Sequence, residues 1–164
     1  MANLCSFTMK IKGSSKENLL TFCEMMDQKG NIWMGRGAEI CSDIDIEDNN
    51  DGTFALVIDG WCKWSIEAAL ILNAISMREN PKMWSFGNSK DVEQNLKFLT
   101  LYEACEELGL TMEAFSEEPG CGFGEHITYI NGKGSCETTP YSEEYDEEEE
   151  DYVSIGGYEW NFEI

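Results

Sequence analysis

Positive charge is what this chain has least of. Against 32 Asp and Glu stand eleven Lys and Arg and a single His, for a formal net charge of -21. That scarcity disfavours direct nucleic-acid binding, because each phosphate contact needs a cation. Paired metal ligands are missing as well. The seven Cys (5, 23, 41, 62, 105, 121 and 136) contain no CxxC, whereas structural zinc sites bring ligands in closely spaced pairs. No phosphate loop, GxGxxG, HExxH or GxSxG occurs, so no motif calls for an enzyme or a cofactor. Apolar runs fall short of the ~20 residues a membrane helix needs. The opening Met-Ala-Asn-Leu-Cys-Ser-Phe lacks the basic and apolar regions of a signal peptide. An odd number of scattered Cys reads as reduced core thiols, so the expectation is a soluble, cytoplasmic protein.

What is present is acid, concentrated in two places on a chain rich enough in aromatics to fold. Hydrophobic residues make up 42% of 164 residues, with five Trp, eight Phe and six Tyr, which a disordered acidic chain would lack. Between Tyr141 and Tyr152, eight carboxylates fill nine positions: Glu143, Glu144, Asp146, Glu147, Glu148, Glu149, Glu150 and Asp151, interrupted by Tyr145. A second stretch, Asp43 to Asp51, carries Asp43, Asp45 and Glu47 on one parity. Such density must be solvated, bound to cations, or shown to a basic partner.

Periodicity places these stretches on a fold. Leu4 to Lys12 alternates as a half-buried strand, with Cys5, Phe7, Met9 and Ile11 on one face. Ser14 and Glu17 suit a capping box ahead of a helix with Leu19, Leu20, Phe22, Cys23 and Met26 at helical spacing. A Gly-rich connection follows. Ala38 to Glu47 and Thr53 to Asp59 then form a hairpin across Asn49-Asn50-Asp51-Gly52. Gly60 to Trp64 leads to Ser65, an N-cap for a helix that stops near Asn80-Pro81. Met83 to Lys97 has no clear pattern, although Trp84 and Phe86 should pack. Thr100 and Glu103 make a capping box for Leu101 to Leu108, with Gly109 at its end. Strands are expected at Leu110 to Glu118, at Glu125 to Ile130 before Asn131-Gly132, and at the C-terminus, where Trp160, Phe162 and Ile164 alternate.

The order is β-α-β-β-α-β with an extra helix and C-terminal strands. It implies one α+β domain over residues 1–164, a ferredoxin-like sandwich with helices on one face of an antiparallel sheet. The acidic block, lying between Cys136 and an apolar terminal strand, reads as an internal loop or short helix at 141–152, tied at both ends.

The start Met-Ala-Asn-Leu-Cys-Ser-Phe-Thr-Met-Lys-Ile-Lys-Gly with its helix Glu17 to Met26 resembles the opening of the YubB ferredoxin-like domains. Trp61 and Trp64 before a helix, and Glu117-Glu118-Pro119-Gly120-Cys121-Gly122-Phe123-Gly124 after a strand, are also similar to that family. Such domains occur in plasmids, phages and bacteria. The resemblance implies the same fold and a mobile-element origin, and brings no catalytic residues.

Other chemistry is weaker on the residues. Cys121 and His126 could form a nucleophilic pair only if they touch and a third group orients them. Cys121, His126 and Cys136 with Cys105 would be an unusual zinc set. Aligned as a calcium loop from Glu47, the chain puts Ile58 where a bidentate Glu is required. The charge remains. A rigid fold displaying carboxylates can occupy a Lys/Arg groove built for DNA or RNA, with Tyr145 and Tyr152 as packing anchors. Three arrays are available: Asp43, Asp45 and Glu47; Glu103, Glu106 and Glu107; and Glu143 to Asp151. The expected protein is a non-enzymatic, anti-CRISPR-like inhibitor in the host cytoplasm. Its partner would be a basic nucleic-acid-binding protein, a Cas effector or other nuclease. The alternative is a small-molecule or cation-binding module using the Gly120–Gly124 loop with Trp61 and Trp64.

Overall fold

A computed structural model describes residues 4–83 and 96–164; the expected packing of Trp84 and Phe86 lies outside them. The strands are β1 (Leu4–Gly13), β2 (Ile32–Met34), β3 (Glu39–Ile40), β4 (Ile46–Asp48), β5 (Phe54–Lys63), β6 (Lys97–Leu99), β7 (Thr111–Glu118), β8 (Phe123–Ile130), β9 (Lys133–Asp146) and β10 (Asp151–Gly156). The helices are α1 (Lys16–Met26), α2 (Asn73–Glu79), entered through a π-helical stretch Glu67–Leu72, and α3 (Leu101–Leu108). The main sheet runs β10-β9-β8-β7-β1-β5-β3, with β4 also on β5, and every pairing in it is antiparallel. The protein is therefore an α+β fold on a long antiparallel sheet. Among the described residues no helix is long and apolar enough to cross a membrane.

The core follows the expected alternation. Cys5, Phe7, Met9 and Ile11 on β1 are buried with Leu56, Ile58 and Cys62 of β5 and Met112 and Ala114 of β7. Leu19, Phe22 and Met26 of α1 and Leu70 of the π-helical stretch cover them. A period of two along the strands meets helical spacing on the covering layer, so one register alone buries both sets.

Several local expectations need correction. The N-cap of α1 is Ser15, whose hydroxyl accepts from Asn18 N at 3.3 Å. The capping position thus falls one residue later than expected, and Glu17 is not at N3. Ala38 to Glu47 is two short strands: the backbone leaves β5 after Ile40 and returns at Ile46. Ile44, between the two strands, is exposed. Gly60 to Lys63, expected as a connector, continues β5 opposite Leu4 to Phe7. β2 and β6, missed from sequence, form a separate parallel pair. The C-terminal alternation is not a strand. Residues 157–164 instead cross the second face of the sheet, where Phe162 lies 5.6 Å from Phe115 and Lys10 Nζ donates to the Ile164 carbonyl at 2.6 Å.

Candidate functional site

The acidic block is a β-hairpin, not a helix, and only its four central residues form a connecting turn. Glu143 to Asp146 end a strand of 14 residues, Glu147 to Glu150 make the turn, and Asp151 opens β10. Pairing runs Asp151 to Asp146, Tyr152 to Tyr145, Val153 to Glu144 and Ser154 to Glu143. Paired residues share a face, so Tyr145, Tyr152 and Glu143 lie on one side and Glu144, Asp146 and Asp151 on the other. The two Tyr rings meet edge to face at 5.4 Å, and both are more than half exposed. Asp146 Oδ1 accepts from Glu148 N at 2.8 Å, fixing the turn. Glu150 sits at φ +54, a left-handed conformation that glycine or asparagine adopts with less strain.

The base of this hairpin is locked. Tyr141 is 3% exposed; its hydroxyl donates to Glu143 Oε1 at 3.0 Å and lies 3.1 Å from Ser154 Oγ. Burial pushes the Tyr141 hydroxyl up to about 12. Tyr141 N donates to the Gly122 carbonyl, so the β7–β8 turn, which carries Gly120 to Gly122, braces the hairpin. Gly156 and Gly157 follow at φ +79 and +78. A Cβ at Gly156 would stand 2.4 Å from the Pro140 carbonyl oxygen, so only glycine lets the chain turn there onto the sheet's second face. Burial, then the charge of Glu143, raises the Glu117 carboxyl above its ordinary 4.5, although the neighbouring Tyr141 and Trp160 side chains act to lower it.

The other arrays lie elsewhere. Asp43, Asp45 and Glu47 are exposed beside β3 and β4, on the opposite edge from β10. Six strand steps separate the edges, roughly 29 Å at about 4.8 Å each. In α3, Glu103 pairs with Arg78 at 2.9 Å and caps the helix through Thr100 N, while Glu107 pairs with Lys97. The expected display by these helix acids is thereby reduced: two of the three are engaged within the fold.

His126 and Cys136 are separated by the sheet. His126 registers with Glu137 and Cys136 with Ile127, so adjacent registers put them on opposite faces and they cannot share a zinc ion. Nε2 of His126 lies 2.8 Å from Glu113 Oε1, and its ring stacks on Phe115 at 4.6 Å. Glu113 also accepts from Glu163 N at 2.6 Å, fastening the C-terminal segment.

Glu125 was missed from sequence. This carboxylate is 1% exposed and accepts from Ser116 Oγ at 2.6 Å, Ile66 N at 2.8 Å and Glu67 N at 3.3 Å. With Ser65 Oγ accepting from Ala68 N at 3.0 Å, it satisfies the open N–H groups at the start of the helix leading into α2. Glu67, Glu125 and Cys136 bring ligand atoms within 4.8 Å of one another. Burial, then the charges of Glu125 and Glu67, pushes the Cys136 thiol up to about 12. The hydrogen bonds to Glu125 give that carboxylate a structural role without any ion. No local pattern foretells its capping role, because the backbone N–H groups that it accepts from, Ile66 and Glu67, lie 59 and 58 residues away.

Trp61 lines a cleft of about 330 Å³ with Arg36 and Lys63. Gly120 to Gly124 are not among the residues lining this cleft; Gly122 accepts from Tyr141 N at the hairpin base. Compared with known proteins, the chain matches no family model, no curated protein and no solved structure.

Proposed function

We propose that this protein is a non-enzymatic acidic inhibitor from a phage or other mobile element, anti-CRISPR-like, that occupies the nucleic-acid groove of a basic host protein. One observation carries the reading: the acidic block is a paired, braced hairpin and not a loose run. No Lys or Arg follows Lys133 in the sequence, so nothing near it in the chain neutralises the hairpin. The strand part spans about 10 Å by strand rise, so with the turn its eight carboxylates fall within roughly 15 Å. That is about one charge per 2 Å, against one per ~1.7 Å of duplex DNA. Tyr145 and Tyr152 supply aromatic contact at the same tip. Neutralising the four turn acids (Glu147→Gln, Glu148→Gln, Glu149→Gln, Glu150→Gln) should weaken binding to a Cas-type nuclease at least about tenfold and flatten its salt dependence.

A ferredoxin-like origin of the body, as the YubB resemblance implies, is supported by the partial order β7-β1-β5-β3 with α1 after β1 and helices between β5 and β7. In this reading β8, β9 and β10 are additions that carry the hairpin outward from a small parent sheet.

A further inference from the structure

We propose that the outer edge of β10 takes up a strand of the partner, an extended segment with Lys or Arg beside Asp151 and an aliphatic residue beside Ile155. This docking mode rests on the inhibitor reading for the partner's basic charge, and names the backbone contact through which the hairpin holds it.

The hairpin leaves this edge open in a defined phase. β10 is the last strand of its sheet, and among the described residues only β9 pairs with it. Gly157 N donates to the Pro140 carbonyl at 2.9 Å, one step past the pair of Gly156 with Tyr141. Hydrogen-bonded and non-hydrogen-bonded positions alternate in an antiparallel pair. Asp151, Val153 and Ile155 therefore bond to β9, while the N–H and C=O groups of Tyr152 and Ser154 point outward. Two contacts agree with that phase. Tyr141 N turns away from β10 to the Gly122 carbonyl, and Tyr152 N takes the Asp151 carboxylate at 2.8 Å. The second contact is local and exposed, so an incoming carbonyl can replace it.

Charge and side-chain pattern select the occupant. Edge strands are commonly blocked by Lys or Pro, and β10, Asp-Tyr-Val-Ser-Ile-Gly, contains neither. Its only charge is negative, Asp151, at the end that meets the Glu147 to Glu150 turn. An added strand lies about 4.8 Å away. That is close enough for a Lys or Arg to meet Asp151, and for an Arg to lie on the exposed Tyr152 ring. At the other end Ile155 is 46% exposed and offers an aliphatic contact. A second copy of this chain fits poorly. Each copy carries a net charge of -21, and self-pairing would bring two acidic turns onto one short ladder.

Calorimetry and amide exchange on the full chain test the edge with three synthetic peptides. One alternates Arg and Val, the second is the same peptide methylated at every backbone nitrogen, and the third alternates Ser and Val. The Arg-Val peptide should bind and slow amide exchange at Ser154. Methylation keeps the charge and removes the backbone donors, so it should weaken binding about tenfold or more. The Ser-Val peptide, without charge, should also bind about tenfold more weakly. Ser154→Pro removes an outward N–H that β9 does not use, a position where edge strands accept proline. It should weaken Arg-Val binding about tenfold, while Ser154→Ala, which keeps the N–H, binds as the unaltered chain does. Should the proline disturb the hairpin, the methylated peptide still decides. Equal binding of the methylated and unmethylated peptides would overturn strand addition and leave the charge reading of the hairpin standing. A chain that binds the Arg-Val peptide in this way but displaces no duplex from a Cas-type nuclease would keep the edge and lose the inhibitor reading. No Arg-Val binding below about 1 mM, or a dimer of this chain that Ser154→Pro dissolves, would overturn the proposal.

Discussion

The β1–β5 ladder and the β9–β10 hairpin are both antiparallel pairs, but they are held by different forces. Ten residues pair between β1 and β5, and alternate ones enter a core covered by α1 and α2's leading turns. Six pair between β9 and β10, and of their side chains Tyr141 alone is buried. In the first pair the hydrophobic face fixes the register; in the second, turn geometry and a locked base do. A strand stripped of burial is free to carry charge, so the hairpin's acids can be changed without removing anything the core rests on. An exposed edge strand also gains protection against edge-to-edge pairing from charge, and Asp151 Oδ1 does cover the Tyr152 N–H at 2.8 Å. Edge protection accounts for some acid, but not for acid at Glu150, where glycine would relieve the backbone.

The largest expected effect sets one region against the other. Phe7→Ala should cost about 3–5 kcal/mol in chemical denaturation, while the four-fold Gln variant of Glu147 to Glu150 should stay within about 0.5 kcal/mol or gain stability as self-repulsion falls. Equal costs would erase the distinction. Next, Glu125→Ala should cost about 2–3 kcal/mol by leaving the Ile66 N–H and the Ser116 hydroxyl without their buried acceptor. Ser116→Ala removes one donor and leaves the helix cap, so it should cost less.

Acidity gives a smaller effect at the hairpin base. The raised Glu117 carboxyl binds its proton more tightly folded than unfolded. Its contribution is therefore gained as pH falls through the folded value, which lies above 4.5, and is lost as pH rises past it. Thermal midpoints should rise between about pH 7 and about pH 5, and Glu117→Gln should flatten that slope. The smallest effect is Glu150→Gly, which should stabilise by a few tenths to about 1 kcal/mol through relief of the left-handed backbone. A loss of stability would mean the Glu150 side chain makes a contact the hairpin needs.

What was legible from sequence was local. β1 shows its period of two, and Thr100 with Glu103 gives the observed capping box ended by Gly109 at φ +64. Asn131 and Gly132 both take the positive φ that a tight hairpin turn requires. What escaped was long-range or solvated on both sides. β2 and β6 are three residues each and meet across more than sixty positions, so neither has a local signature. The end of β9 lacks apolar alternation because neither of its faces is buried, and a charged strand then reads as a loop. The terminal alternation of Trp160, Phe162 and Ile164 misled in the opposite way: it reflects a segment lying on a sheet, not one hydrogen-bonded within it. Tethering of the acidic block at both ends was expected, and Tyr141 and the glycine pair show how it is done.

The central claim is that a fixed acidic hairpin competes with nucleic acid for a basic groove. The most direct measurement is displacement of labelled duplex from a Cas-type nuclease, comparing the unaltered chain with the four-fold Gln variant at about 50 and about 200 mM salt. The unaltered chain should displace DNA, less well at the higher salt, and the neutralised chain should be at least about tenfold weaker. Equal displacement by both chains, or displacement by neither, would contradict the account.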